Sequence, residues 1–302
     1  MIVPAPHHAE RKTRAAALSI ASNGALILLK IVAGALTGSV AIITEAVHSS
    51  IDLMASFVAF FSVRKAEEPA DESHPYGHEK VENLAAALEG VLVLVGAGII
   101  VYESVRRLMD PAPIESLGFG IAAIAFSAVA NFGVSTYLYR QAKLTDSPAL
   151  EGDAAHLRTD AFTSLGVLAA LVLVSITDVK VLDPITALVV ATAIVVAGIR
   201  LISRSSRVLV DEALPDDELA AIAEALEGGG TPEVAGYHKL RARRAGSRRY
   251  IDLHVQFRPG TTLERAHQLS HELQREITRR VNRADVLIHI EPERRREPRD
   301  PD

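Results

Sequence analysis

The sequence predicts an α-helical membrane domain of six transmembrane helices joined to a small soluble α/β domain of order α-β-β-α-β. Three observations carry that expectation. The chain is 49% hydrophobic and 23% charged, and the two kinds of residue are segregated. Up to about residue 206, six apolar stretches reach the roughly 20 residues that a span requires, at about 15–36, 40–63, 84–105, 115–139, 150–176 and 184–203. Beyond Arg207 no run approaches that length, and the pattern becomes one of short strands and helices.

The first stretch follows Arg11, Lys12 and Arg14, an arrangement shared with signal peptides, but it is longer than a usual apolar core and lacks a clear cleavage site. It is read as a helix that stays. Six spans put both termini on one side of the membrane. On that side eleven Lys and Arg residues flank helix ends, among them Lys12, Arg64, Lys80, Arg140 and Arg204, against three (Arg106, Arg107 and Lys180) on the other. This bias places the termini and the soluble part in the cytoplasm, with the chain in the cell membrane. Gly34, Gly38, Gly96 and Gly98 suit close helix packing, Lys30 suits snorkelling to the interface, and no clean repeat appears.

In the tail, Pro215–Glu227 reads as a helix stopped by Gly228–Gly230. Val234–Arg243 and Tyr250–Arg258 read as a hairpin turning at Ala245–Ser247, Leu263–Val281 as a helix and Val286–Ile290 as a last strand. The expected boundaries are 1–13 for a cytoplasmic lead, 14–206 for the membrane domain, 207–292 for the cytoplasmic domain and 293–302 for a disordered tail.

Net charge of −5 argues against nucleic acid as a partner. Arg241, Arg243, Arg244, Arg248 and Arg249 make the hairpin basic, but no stacking aromatics accompany them, and a solvated surface near anionic lipid fits better. Cysteine is absent, so a transition-metal site must be built from His, Asp and Glu.

Such residues stand inside the membrane. The second span holds His48 and Asp52, and the fifth holds His156 and Asp160. A spacing of i, i+4 puts each pair on one helix face, with Cβ atoms roughly 5–6 Å apart. At about 1.5 Å per residue, Asp52 lies roughly 18 Å and Asp160 roughly 15 Å from the ends of their spans, near the middle of a core about 30 Å thick. Two imidazoles and two carboxylates satisfy tetrahedral zinc. The competing reading is polar packing between helices, and against it stands a cost of about 2.5–3.5 kcal/mol for each central Asp. Asn23, Asn83 and Asn131 read as interhelical hydrogen-bonding groups.

Two further clusters lie outside the membrane. Asp71, His74 and His78 sit around a bend permitted by Pro75 and Gly77, and they fit either a second cation site or a solvated loop. His238 and His254 fall on the two hairpin strands, His289 and Glu291 share one face of the last strand, and His267 lies on the preceding helix. These fit a binuclear site with a bridging carboxylate, or scattered surface histidine. His271 has no assigned role.

At this point the chain resembles a cation diffusion facilitator, a transporter of zinc and related metals, from about Arg14 to Pro292. The resemblance is carried by Glu45-Ala46-Val47-His48-Ser49-Ser50-Ile51-Asp52, by Asp71 with His74-Pro75-Tyr76-Gly77-His78, by His156 through Asp160, and by Asp211-Glu212-Ala213-Leu214-Pro215. It implies a homodimer with a ferredoxin-like cytoplasmic domain. It further implies a transport site at His48, Asp52, His156 and Asp160, a loop site at Asp71, His74 and His78, and a binuclear site at His238, His254, His267, His289 and Glu291. A charge contact between Lys80 and Asp211 would anchor the dimer. The chain departs from many bacterial members in carrying His48 where they carry Asp, and Glu291 where Asp is common. The activity implied is efflux of Zn2+, with Cd2+, Fe2+, Mn2+ or Co2+ as other cargoes, in exchange for protons. A membrane metalloenzyme or a metal-sensing receptor is the alternative, although no His-Glu-x-x-His motif or signalling domain is present.

Overall fold

The computed structural model describes residues 6–37, 40–109, 118–177, 179, 181–227 and 231–293. The chain divides into two compact units, with the boundary between Leu209 and Val210. Among the described residues the first contains six helices: α1 (Pro6–Thr37), α2 (Val40–Ala66), α3 (Lys80–Met109), α4 (Gly118–Thr145), α5 (Pro148–Thr177) and α6 (Leu182–Leu209). Each overlaps one of the apolar stretches and runs past it, because polar turns at the ends still satisfy their backbone within the helix.

The turn between α4 and α5 shows how local chemistry sets these ends. Asp146 takes a left-handed φ of 50°, and the Ser147 N–H reaches back to the Ala142 carbonyl at 3.0 Å, closing α4. Ser147 Oγ then accepts from the Leu150 N–H at 3.4 Å while Pro148 occupies the first helical position of α5, where a missing N–H costs nothing.

The interior of this unit is rich in small residues, including Ala15, Ala16, Ala59 and Ala161 beside Leu138, Leu150 and Leu157, whereas Leu28, Phe61, Tyr102, Val129 and Val189 are each more than 60% exposed. Small inside and large apolar outside is the arrangement of helices packed in lipid. Among the described residues, Lys80–Arg106 and Pro184–Leu209 are long and apolar enough to cross a bilayer, each with mean hydropathy 2.4.

Two of the expected glycines make no close approach. A Cβ at Gly96 or Gly98 would meet nothing within 4 Å. The close approaches are at Gly90 and Gly198 between α3 and α6, at Gly152 where α5 meets α3, and at Gly166 where α5 meets α6. A Cβ at Gly90 would lie 2.6 Å from Ile202 Cγ1 and one at Gly198 2.9 Å from Leu94 Cδ2. Gly38, Gly228–Gly230 and residues 294–302 lie outside the described residues, as do the surroundings of Gly34 and the side chain of Lys30.

The second unit contains α7 (Asp216–Glu227), β1 (Val234–Ala245), β2 (Arg248–Phe257), α8 (Leu263–Arg280) and β3 (Ala284–Pro292). They build a small mixed sheet of order β1-β2-β3, with β1 and β2 antiparallel and β2 and β3 parallel. The hairpin turn is two residues long, opened by Gly246 at φ 53°. Along β2 every second residue is buried, and Ile251, Leu253, Val255 and Phe257 pack with Ile222 of α7 and Leu269, Leu273 and Ile277 of α8. Both helices therefore cover one face of the sheet, and His254 belongs to the other. Thr262 caps α8 by accepting from the Arg265 N–H at 3.2 Å.

Candidate metal centres

In the helical unit, α5 presents Asp153, His156 and Asp160 along successive turns. His156 is 6% exposed, and its Nε2 lies 3.8 Å from Asp160 Oδ2. Its other ring nitrogen, Nδ1, lies 3.9 Å from Oε2 of Glu89, a residue of α3 with no exposed surface. The sequence reading passed over Glu89. The signal was a carboxylate inside the third apolar run, which carries the same insertion cost that drew attention to Asp160.

Asp153 is fully buried and accepts from Ser56 Oγ of α2 at 3.1 Å. Ser56 Oγ is also 2.9 Å from Ser19 Oγ and accepts from Asn23 Nδ2 at 2.8 Å, so a polar thread joins α1, α2 and α5. Asn23 is thus an interhelical hydrogen-bonding group. His48 and Asp52 fall within α2, Asp52 one turn before Ser56, and their side chains lie outside the described residues.

Arg158 faces α4 instead of this polar interior. Its Nη2 donates to Thr136 Oγ1 at 3.3 Å, and its guanidinium lies 5.6 Å from the Phe132 ring and 5.5 Å from the Tyr139 ring. Lys12 departs from its expected place as an interfacial charge. It is 1% exposed, with Nζ 2.6 Å from Glu82 Oε1 and 3.1 Å from Glu67 Oε1. Ser147 Oγ donates to the other oxygen of Glu82, so one buried ion cluster ties α1, α3 and the α4–α5 turn together with Glu67, just past α2.

The loop between α2 and α3 gathers Asp71, His74 and His78. One ligand atom from each lies within 4.8 Å of the others. The Pro75–Tyr76 turn closes with the Gly77 N–H on the His74 carbonyl at 2.9 Å. Asp71 Oδ1 accepts from the Ser73 hydroxyl at 2.7 Å and from the Ser73 and His74 N–H groups. The Ser73 hydroxyl bond leads the causes that lower its pKa to about 2, so the carboxylate is ionised at any physiological pH. His78 is 4% exposed with neither ring nitrogen in a hydrogen bond, and its Nε2 lies 3.3 Å from Asp71 Oδ2. A buried imidazole aimed at a carboxylate without bonding it is a donor set that suits a divalent cation.

On the open face of the sheet, strand register builds a row of histidines. His238 pairs with His254 across β1 and β2, and His254 pairs with His289 across β2 and β3. Ring centroids are 5.3 and 4.6 Å apart. A bulge follows His238, with Lys239 at φ 52°, a local kink of the kind that re-aims a side chain. Glu291, two residues beyond His289, reaches back over the row. Its Oε1 lies 2.6 Å from His254 Nδ1 and 3.7 Å from His289 Nε2, and its Oε2 lies 3.2 Å from His238 Nε2 without a hydrogen bond. The His254 hydrogen bond, then the charges of His254 and His238, hold its carboxyl below the ordinary range. Two imidazoles and this carboxylate converge within 4.8 Å, which fits a zinc-type ion.

His267 does not join that row. It lies on α8, the helix packed on the opposite face, and its imidazole meets His271 instead. The remaining expected residues each have partners within their own unit. Lys80 Nζ donates to the Leu209 carbonyl at 3.2 Å, and Asp211 accepts from Arg243 Nη1 at 2.7 Å.

Comparison with known proteins agrees with this arrangement of polar groups in an apolar bundle. Residues 16–210 match the cation efflux transmembrane domain. The chain belongs to the cation diffusion facilitator family. Residues 214–293 match the cytoplasmic domain of cation efflux proteins. An uncharacterized transporter of Synechocystis sp. is 36% identical over 277 residues, covering 92% of this chain and 89% of the relative. The cation-efflux pump FieF of Yersinia pestis is 34% identical over 286 residues, 93% of each chain, and that of Serratia proteamaculans is 32% identical over 287 residues, 95% of each. This cation diffusion facilitator is therefore a membrane-embedded cation-efflux transporter with a cytoplasmic domain carrying a small mixed sheet.

Proposed function

We propose that the cargo is a divalent transition-metal ion, zinc by preference, and that it leaves the cytoplasm by alternating access in exchange for protons. The observation that carries this reading is the His156–Asp160 pair, 3.8 Å apart with His156 buried, within the family's transmembrane domain. With His48 and Asp52 of α2 it makes a set of two nitrogens and two oxygens, which suits zinc better than manganese or magnesium, whose preferred ligands are oxygen. Protons compete with metal for these donors, since zinc needs neutral imidazole and ionised carboxylate, and this links the two flows.

The working unit is a homodimer, in keeping with the match of residues 214–293 to the family's cytoplasmic dimer domain. Each protomer crosses the membrane six times with both termini in the cytoplasm, as the six helices and the basic flanks support. A ferredoxin-like fold for the tail accords with its parallel β2–α8–β3 crossover. The loop and strand-row clusters hold resident zinc on the cytoplasmic side, and Lys80 with Asp211 contributes a charge contact to the dimer.

The test is zinc and proton flux in proteoliposomes, wild type beside Asp160→Ala. Zinc uptake coupled to an opposite proton flow is expected, with flux abolished in an Asp160→Ala protein that inserts normally. Wild-type flux in that variant would remove the pair from the pathway, and zinc flux with no proton movement would remove the exchange.

A further inference from the structure

Glu89 is a buried carboxylate that the four-residue transport set leaves out. It lies on α3, inside the third apolar run, and has no exposed surface. Carrying a carboxylate into that interior is costly, and packing alone would be served more cheaply by an apolar side chain. Its place is set by Gly152 of α5. A Cβ there would stand 3.0 Å from Glu89 Cγ and 3.2 Å from Glu89 Cβ, so the bare glycine lets the Glu89 stem lie across α5. His156 follows Gly152 by four residues, one turn along the same helix face. The stem crosses at Gly152, and the carboxylate comes up beside the imidazole, with Oε2 3.9 Å from Nδ1.

His156 thus has a carboxylate beside each ring nitrogen, Glu89 at Nδ1 and Asp160 at Nε2, the latter 3.8 Å away. A neutral imidazole carries its proton on one nitrogen and a free lone pair on the other. Asp160 belongs to the ligand set of the cargo, so Nε2 must offer the lone pair on that side, and the proton falls to Nδ1, facing Glu89. Both distances exceed the about 2.7–3.2 Å of a direct N–H···O bond. A dication on Nε2 withdraws electrons from the ring and makes the Nδ1 proton a stronger donor. That draws the carboxylate in, as hydrogen bonds of this kind tighten when the ligand arrives. A histidine whose second N–H is held by a carboxylate has its tautomer and ring orientation fixed and its donor nitrogen made more basic.

We propose that Glu89 is a positioning residue of the transport site, accepting a hydrogen bond from His156 Nδ1 so that the Nε2 lone pair faces Asp160 and the cargo. Glu89 does not itself touch the cation. The inference rests on the reading of His156 and Asp160 as cargo ligands, and it adds what orients the imidazole between them. It also gives Gly152 a purpose beyond helix packing, since a side chain there would press on the stem that carries the carboxylate.

Zinc is the probe, with the full-length protein in proteoliposomes and initial flux measured over a range of zinc concentrations. Glu89→Gln keeps the volume of the side chain and removes its charge. It is expected to raise the zinc KM about ten- to hundred-fold, the usual cost of losing such an outer partner, with the maximal rate within about twofold of wild type. It is expected to unfold no earlier than wild type, since a neutral amide is cheaper to bury than a carboxylate, so lost folding does not account for the shift. Glu89→Asp keeps the charge one methylene short and is expected to fall between the two. A wild-type KM in Glu89→Gln, or a lower maximal rate at unchanged KM, would overturn the positioning role. A Glu89→Asp protein with a higher KM than Glu89→Gln would assign the effect to volume and overturn it as well. Asp160→Ala, measured alongside, separates the two readings. Abolished flux there with wild-type kinetics in Glu89→Gln removes the role of Glu89 alone, whereas wild-type flux in Asp160→Ala removes the transport site and this inference with it.

Discussion

Replacing Lys12 with Met should destabilise the helical unit by about 3–5 kcal/mol, the cost of breaking a buried ion pair from one side. The magnitude follows from the cluster around it. With contacts of 2.6 Å to Glu82 and 3.1 Å to Glu67, and an effective dielectric of about 20, the ammonium gains attractions of about 6 and about 5 kcal/mol. Desolvation costs several kcal/mol for each ion and offsets most of that gain, so the intact cluster contributes little net stability. Lys12→Met removes the attraction and leaves the cost, because Glu82 remains 1% exposed beside a thioether. Adding Glu82→Gln discharges the stranded partner and keeps an acceptor for Ser147, so the double variant should recover most of the loss. The assay is reversible unfolding of the detergent-solubilised chain in increasing SDS, followed by circular dichroism. A single variant within about 1 kcal/mol of wild type, the range of a solvated surface pair, would refute the reasoning. A double variant no more stable than the single one would refute it equally.

The carboxylate of Glu218 is gripped by Arg249 at 2.9 and 3.0 Å and by Arg244 at 2.7 Å, and Arg249 is itself 5% exposed. Burial opposes its ionisation, but the hydrogen bond and charge of Arg249, aided by Arg244, outweigh burial and lower its pKa from 4.5. Because the folded value is the lower one, its contribution is present above pH 4.5 and disappears as pH falls through the folded value. Glu218→Gln should therefore cost about 1.5–3 kcal/mol at neutral pH and flatten the acid limb of the stability curve, and an equally steep limb in the variant would contradict this. Gly90→Ala should cost about 1–3 kcal/mol through overpacking against Ile202 and the Gly198 carbonyl. Gly96→Ala, with open space around it, should stabilise its helix by up to about 1 kcal/mol, and equal unfolding midpoints for the two variants would argue against the close crossing.

Much of this architecture can be read from the chain because it depends on local repetition. Apolar runs mark the helices of the first unit, and two-residue alternation marks β2, where Ile251, Leu253 and Val255 go to the core and His254 to the other side. Spacing alone brings His156 and Asp160 to one face of α5. What cannot be read locally is which helix lies across from that face. Glu89 reaches His156 from α3, a neighbourhood set by glycine packing and not by any period in either segment. Lys12 resembles every other basic residue at a helix end until three segments close over it. His267 depends on layer order as well, for within one chain its distance from the strand histidines follows from which face of the sheet α8 covers. The alternation in β2 contained that information, since a helix must cover the face bearing Leu253 and thereby turns away from the face bearing His254.

The glycine contacts among α3, α5 and α6 have a mechanical meaning. Where side chains separate two helices, a small displacement is absorbed by rotamer changes. At Gly90, Gly152, Gly166 and Gly198 one partner has no side chain to give, and each of the three pairwise contacts among these helices includes at least one of them. A displacement there falls on the partner's side chain alone, on Ile202 at Gly90, Leu94 at Gly198 and Val190 at Gly166. His156 and Glu89 face each other beside the Gly152 contact of α5 with α3, 3.9 Å apart.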